Sequence, residues 1–285
     1  MADFEARWRS RVGGSARTVG VIGWPVEESL SPLIHNTAFI ALGLDWVYVP
    51  LPVEPGRLSD ALAGLPALGF VGANVTMPHK TETAVLLGEL SEDAARLRAV
   101  NTLVTTPAGL AGHNTDAPGF ERFLAEDAGF DAAGRTALLL GGGGAARACA
   151  LALARSGAAK VVVALRDPAK SEELRAAVAG FETALQVVAF DDAAESEADL
   201  VVNATPLGSD GEQLPLPRLR SEVIVVDLLY RPTLTPLQVT AREAGAATFG
   251  GLGLLLHQAA LSFELWTGRP APLAAMSAAA LAELS

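Results

Sequence analysis

Short apolar runs, most of them without polar alternation, recur along the chain between stretches rich in Ala, Leu and Glu. Uninterrupted apolar runs mark strands covered by helices on both faces, so the pattern predicts parallel strands joined by helices, an α/β fold. The predicted strands span residues 18–22, 46–51, 69–75, 102–105, 136–140, 160–165, 185–188, 200–203 and 224–227. Predicted helices span 32–41, 55–63, 80–87, 117–126, 145–156 and 169–178. The strand series restarts at Thr136 after the loop 128–134, and a second domain is placed there.

One turn in this pattern carries chemistry. The strand Thr136–Leu140 runs directly into Gly141-Gly142-Gly143-Gly144-Ala145-Ala146, which satisfies Gly-x-Gly-x-x-Ala spacing at Gly141, Gly143 and Ala146. The first glycine allows the tight turn, the second lets the backbone approach a pyrophosphate, and the alanine lets helix and strand pack closely. The helix amino terminus then offers unpaired N–H groups to the phosphates. A second strand follows at βαβ distance, so Gly141, Gly142, Gly143, Gly144 and Ala145 are read as a dinucleotide site. The chain has no Gly-Lys-Ser/Thr for a nucleoside triphosphate.

After that second strand comes Arg166-Asp167-Pro168-Ala169-Lys170, where the adenosine ribose should lie. An acid there accepts bonds from a free 2′-hydroxyl, whereas Arg and Lys bind a 2′-phosphate. Both signals are present. With a helix from Ala169, Arg166 and Lys170 would stand about one turn apart and close on one phosphate, while Asp167 could cap that helix.

Bulk properties narrow the partners. A length of 285 residues suggests about two domains, and 50% hydrophobic with 19% charged residues is globular composition. A net charge of −11 disfavours nucleic acid and anionic lipid. The segment Met1 to Arg9 lacks the apolar centre of a signal peptide, and the long apolar runs are broken by charge or glycine, so a cytoplasmic protein without a membrane partner is expected. The single cysteine, Cys149, has no partner for an intramolecular disulfide. No metal site is expected.

In the first half, polar residues gather at predicted strand ends: Ser29-Leu30-Ser31 with His35 and Asn36, Asn74-Val75-Thr76 with His79 and Lys80, Asn101, and His113-Asn114-Thr115-Asp116. Ligands collect at the carboxyl ends of parallel strands. Taken singly, Ser31 before Pro32 could be a helix cap and Lys80 a helix-start decoration.

Together with Asn203-Ala-Thr205-Pro-Leu-Gly208, Asp227-Leu228-Leu-Tyr230-Arg-Pro and Gly251-Leu-Gly-Leu-Leu-Leu-His-Gln258, this constellation resembles the shikimate dehydrogenase family, over residues 23 to 268. The resemblance implies an N-terminal α/β substrate domain (1–116 and 253–285), a Rossmann-type dinucleotide domain (117–252), and a cleft between them. It implies that Lys80 and Asp116 are catalytic. It further implies that Ser29, Ser31, Asn74, Thr76, Lys80, Asn101, Asp116, Tyr230 and Gln258 bind substrate, the serine pair at its carboxylate. Arg166, Asp167, Lys170, Thr205, Leu228 and Gly251 would join the glycine turn around the cofactor.

The implied reaction is reversible, NADPH-dependent reduction of 3-dehydroshikimate to shikimate in aromatic amino acid biosynthesis, by a monomer or homodimer. Hydride transfer must be matched by proton transfer, which Lys80 can perform with Asp116 as its hydrogen-bonded partner. Serine at both 29 and 31 points to shikimate, since quinate users of the family often carry threonine there. Leu165-Arg166-Asp167 departs from the family's Asn-Arg-Thr and keeps NAD open as cofactor; Ser209, Gly250 and Leu254 also depart. An NAD-dependent quinate or shikimate dehydrogenase, or a dinucleotide-binding regulatory protein without turnover, are the alternatives.

Overall fold

The computed structural model describes residues 13–285, so the polar opening segment Met1 to Arg9 lies outside the described residues. The chain divides into two compact units. Residues up to Thr115 together with Ala259–Ser285 form one, and Asp116–Gln258 the other. The division falls at residue 115 and inside a C-terminal helix. Residues 253–258 thus pack in the second unit, where Gly253 meets the Phe123 ring and Gly119 the Gln258 backbone too closely to admit a Cβ.

In the first unit β1 (Arg17–Gly23), α1 (Ser31–Ala41), β2 (Trp46–Pro52), α2 (Leu58–Ala67), β3 (Phe70–Val75), α3 (Lys80–Leu86), β4 (Glu89–Leu90), α4 (Glu92–Leu97), β5 (Thr102–Thr106) and β6 (Gly109–His113) follow in order. They build a six-stranded sheet of order β2-β1-β3-β5-β6-β4. Its β1, β2 and β3 pair in parallel, so Gly23, Pro52 and Val75 end on one edge. One face packs Ile22, Ala73, Val75 and Leu103 against Leu58, Leu62 and Leu65 of α2 and Ala94 of α4. On the other, Phe39 of α1 stacks on Phe263, with ring centroids 5.3 Å apart. Each fully buried side chain of this size stabilises the fold by roughly 1.5–3 kcal/mol.

The second unit opens with α5 (Asp116–Glu126) and runs through β7 (Thr136–Leu140), α6 (Gly144–Arg155), β8 (Lys160–Leu165), α7 (Glu172–Val178), β9 (Ala184–Ala189), a 3-10 turn (Asp191–Glu195), β10 (Leu200–Asn203), β11 (Ile224–Asp227), α8 (Pro236–Glu243) and β12 (Ala247–Gly250). Its sheet has the order β9-β8-β7-β10-β11-β12, and all pairs are parallel. This is the doubly wound 3-2-1-4-5-6 order, with the direction of winding reversing between β7 and β10. Then α9 (Leu252–Thr267) and α10 (Leu273–Leu284) close the chain.

Several expectations need correction. The first sheet is not wholly parallel: β5 pairs antiparallel with β3 and with β6. The strand β6 was hidden because its sequence, Gly-Leu-Ala-Gly-His, has too few β-branched residues to declare itself. Helix α2 starts at Leu58 rather than Pro55, because Gly56 takes a φ of +85° and Arg57 N–H closes a turn on the Glu54 carbonyl at 3.0 Å. It then runs through Pro66 to Ala67. Helix α7 starts at Glu172 rather than Ala169, for reasons given below.

Candidate active site

The strand-order reversal of the second sheet is occupied by the glycine turn. Gly141 has a φ of +108°, and a Cβ there would lie 2.9 Å from Thr205 Cγ2. Only glycine meets both demands. At Gly142 a Cβ would press on Leu165 Cδ2 at 2.7 Å, whereas the space around Gly143 is open. Gly143 is the N-cap of α6, and no side chain caps this helix. The first-turn amides are therefore left for a ligand, and an open glycine in front of them admits a pyrophosphate. The pocket residues fit a dinucleotide.

Two neighbouring strand ends complete that edge. Asn203, at the end of β10, accepts from Thr205 N–H at 3.0 Å and from the Thr205 hydroxyl at 2.7 Å, and it donates to Asp227 Oδ1 at 3.0 Å. Asp227 ends β11 and also accepts from Leu229 N–H at 3.2 Å and the Thr235 hydroxyl at 2.6 Å. Burial raises the Asp227 carboxyl pKa against the pull of these donors. The loops bearing Thr205, Leu228 and Tyr230 are thus anchored to one carboxylate. Gly251 passes so close to the Leu228 carbonyl that no Cβ fits. Beneath them Cys149 is buried, and desolvation, with the Asp116 charge, pushes its thiol well up, so it is inert.

The segment after β8 differs from the expected helix. Asp167 Oδ1 accepts from Ala169 N–H at 3.2 Å, and Lys170 N–H closes on the Asp167 carbonyl at 3.0 Å. This side-chain-stabilised turn, with Pro168 inside it, delays the helix to Glu172. Arg166 and Lys170 therefore do not share a helical turn, and Asp167 does not cap α7. Instead Lys170 Nζ lies 3.6 Å from Asp167 Oδ2, while Arg166 is exposed. One cation partly offsets the acid, and Arg166 stands at the surface beside it.

In the first unit the polar cluster is knitted through groups that the motif reading passed over. Asn74 Nδ2 points at the Asn101 carbonyl at 3.1 Å, an acceptor only, which fixes the amide's orientation. The same nitrogen reaches Thr102 Oγ1 at 3.1 Å and Ser262 Oγ at 3.0 Å. Its Oδ1 accepts from the Tyr48 hydroxyl at 2.7 Å. Asn101 Oδ1 accepts from Thr115 N–H at 2.8 Å, and Asn101 Nδ2 donates to Thr115 Oγ1 at 2.9 Å. Ser31, Asn74 and Asn101 are all buried, and Tyr48, Thr102, Thr115 and Ser262 bind Asn74 and Asn101 into one hydroxyl-and-amide cluster.

Ser31 is not the cap of α1. It is the first helical residue, Leu30 is the cap, and Ser31 N–H donates to Ser29 Oγ at 3.3 Å. Thr76 follows β3 directly and is held by its N–H on the Ile22 carbonyl at 2.8 Å. Lys80 opens α3 half-buried, and its carbonyl accepts from Val100 N–H at 2.9 Å, next to Asn101. Before it, His79 is fully buried and hands its Nε2 proton to the Val53 carbonyl at 2.7 Å.

The remaining residues lie in the second unit. Asp116 is the buried first residue of α5. Tyr230 and Gln258 are half-buried, and Gln258 Nε2 donates to the Leu255 carbonyl at 2.9 Å. Sequence reading missed Tyr48 and Ser262 because neither lies in a polar motif. A tyrosine inside the apolar strand Trp46–Pro52, and a serine alone on an apolar helix, were the available signals.

A winding reversal carrying a phosphate-ready glycine turn, in a chain whose other α/β unit has a neutral polar cluster and a lysine, defines the class of two-unit pyridine-dinucleotide oxidoreductases. Family comparison is narrower. Residues 21–103 match the shikimate dehydrogenase substrate binding domain, 251–281 the shikimate 5′-dehydrogenase C-terminal domain, and 135–230 the coenzyme F420-dependent NADP oxidoreductase family. The NADP(+) shikimate dehydrogenase of Moorella thermoacetica is 48% identical over 93% of each chain. A shikimate dehydrogenase solved with NADP+ superposes with a TM-score of 0.88 at 35% identity, covering 96% of this chain and 98% of that one. The Listeria monocytogenes enzyme, solved with shikimate and NAD, gives 0.87 at 36% identity over 93% and 96%. The chain belongs to the shikimate dehydrogenase family.

Proposed function

We propose that the chain is an NADP-dependent shikimate dehydrogenase, which reversibly reduces 3-dehydroshikimate to shikimate. The observation that carries this reading is the pairing, in one chain of this family, of an uncapped glycine turn with a buried cluster of neutral donors and acceptors. Shikimate carries one carboxylate and several hydroxyls, and such a ring needs neutral partners more than charges. Leaving any of these buried partners unpaired penalises an analogue that lacks one hydroxyl.

When bound, the dinucleotide supplies the hydride for reduction and accepts it in oxidation. The chain's own residues do the rest. Lys80 donates a proton to the carbonyl oxygen as negative charge develops there, and takes the hydroxyl proton in the reverse direction. Asp116 is assigned as its partner. Ser29 and Ser31 hold the substrate carboxylate, and Thr76, Asn101 and Gln258 its hydroxyls, with Tyr230 beside them. Asn74 has its amide hydrogens committed to Asn101, Thr102 and Ser262, so it meets substrate only through its remaining Oδ1 lone pair. Arg166 holds the 2′-phosphate that sets NADP above NAD.

The test is direct. Purified chain mixed with shikimate and NADP+ should generate NADPH and 3-dehydroshikimate, and Lys80→Met should not. Equal turnover by Lys80→Met would remove the assignment of that residue, and no turnover of shikimate by the unaltered chain would remove the function.

A further inference from the structure

Residues 166–170 are all exposed, and the start of α7 that follows them has no side-chain cap on Ser171. At one end this turn hangs from β8; at the other it is held by whatever α7 packs against. Leu174 of α7 is buried and reaches the glycine turn, where its Cδ1 lies 3.5 Å from the place that a Cβ on Gly142 would take. The residue before it, Glu173, is ion-paired through Oε2 with Nη1 of Arg147 on α6. An apolar contact and an ion pair on adjacent residues thus join the start of α7 to the glycine turn and to the helix that leaves it.

Arg147 is an uncommon residue for its place. It is the fourth residue of α6, its N–H closes on the Gly143 carbonyl at 3.0 Å, and its side chain is only 6% exposed. Its Nη2 stands 3.8 Å from where a Cβ on Gly144 would lie, beside the helix start that faces the phosphates. Its Nε is buried without a partner among the described residues, whereas the Glu173 side chain is 49% exposed. A buried guanidinium with one nitrogen unpaired contributes less to stability than an apolar side chain of the same volume. What it supplies is geometry, since its planar fork fixes where the carboxylate, and with it α7, can stand.

We infer that Arg147 is a positioning residue of the cofactor site, which acts through Glu173 to hold the turn 166–170 in place for the 2′-phosphate. This inference rests on the assignment of Arg166 to that phosphate. A dinucleotide whose pyrophosphate lies on the glycine turn meets Arg166 only while α7 keeps its place, because the exposed turn has no buried contact of its own. The two partners carry opposite charges. Losing either one nevertheless releases α7, so both losses should act on the cofactor with the same sign.

Dissociation constants for NADP+ and for NAD+, measured by calorimetry on the full chain, test this with Arg147→Met, Glu173→Ala, their double variant and Glu173→Gln. Arg147→Met and Glu173→Ala should each weaken NADP+ about tenfold and NAD+ by less than about threefold, since NAD+ has no 2′-phosphate to lose. The double variant should bind NADP+ no worse than the single ones, because both act through one contact. Glu173→Gln, whose amide oxygen still accepts from Arg147, should stay within about threefold of the unaltered chain. Tighter NADP+ binding by Glu173→Ala, equal losses for the two cofactors, or additive losses in the double variant would overturn the inference. Should Arg147→Met not fold, Glu173→Ala, a change at a half-exposed side chain, decides by the same two constants. Binding is read without shikimate, so the outcome stands apart from whether the chain oxidises it. An unaltered chain that binds NAD+ as tightly as NADP+ would instead defeat the assignment of Arg166 on which the inference stands.

Discussion

The Thr235 hydroxyl donates to Asp227 Oδ2 across 2.6 Å, and through that bond the amino end of α8 is tied to the end of β11. Thr235 also caps α8, accepting from Gln238 N–H at 3.3 Å, with Gln238 Oε1 returning a bond to Thr235 N–H at 3.0 Å. Asp227 in turn fixes Asn203 and so Thr205, beside the glycine turn. A threonine far along the chain from the glycine turn thereby helps hold the edge on which the dinucleotide would lie.

Thr235→Val should therefore do two things. Loss of a cap and of a bond to a buried carboxylate should cost about 2–4 kcal/mol in denaturant unfolding. The loops of Thr205 and Leu228 should loosen, weakening NADP+ binding by calorimetry while the affinity for shikimate alone stays near its original value.

Lys80→Met removes the proton-transfer group but keeps most of the side chain's apolar stem. We expect kcat to fall by about 10²–10⁴ in both directions, with NADP+ affinity unchanged. Fluorescence titration of the cofactor separates the two effects.

Cofactor choice should be set by Arg166 against a partly neutralised Asp167. Arg166→Ala should lower the ratio of kcat/KM for NADP+ over NAD+ by roughly 10–100-fold, the worth of a bond between charged groups. Asp167→Asn should raise the ratio by a few-fold, since it removes a negative charge near the 2′-phosphate and releases Lys170. A fall on Asp167→Asn would mean that the acid serves the phosphate side, contrary to the turn geometry.

His35 makes stability depend on pH. Its pKa is 6.5 when unperturbed and about 3 in the folded chain, so the unfolded state takes up the proton first. Stability is full above pH 6.5 and falls as pH drops toward 3, by up to about 1.4 kcal/mol per pH unit from this group. The half-buried His113, also lowered, adds in the same sense. Chemical denaturation of the unaltered chain and of His35→Leu between these limits should give a shallower pH dependence for the variant.

Much of the second unit was legible because its strands are uninterrupted apolar runs. β7, β8, β10 and β11 have the bounds that their Val and Leu content predicts, and the glycine turn announces its own backbone demands. The first unit was harder. β6 carries two glycines and a histidine in five residues, and β4 is only two residues long. α8 went unread because Pro-Leu-Gln-Val-Thr-Ala-Arg-Glu is short and on balance polar, its start being set by the Thr235 capping box. At the site, polar motifs revealed Ser31, Asn74 and Asn101. The partners of Asn74, Tyr48 and Ser262, come from apolar elements distant in sequence, and only tertiary pairing brings these together.

The central claim is tested most directly by measuring kcat/KM for shikimate and for quinate, each with NADP+ and with NAD+, on the unaltered chain. The account predicts the highest value for shikimate with NADP+. Faster oxidation of quinate than of shikimate at saturating NADP+, or no turnover with any pair, would contradict it.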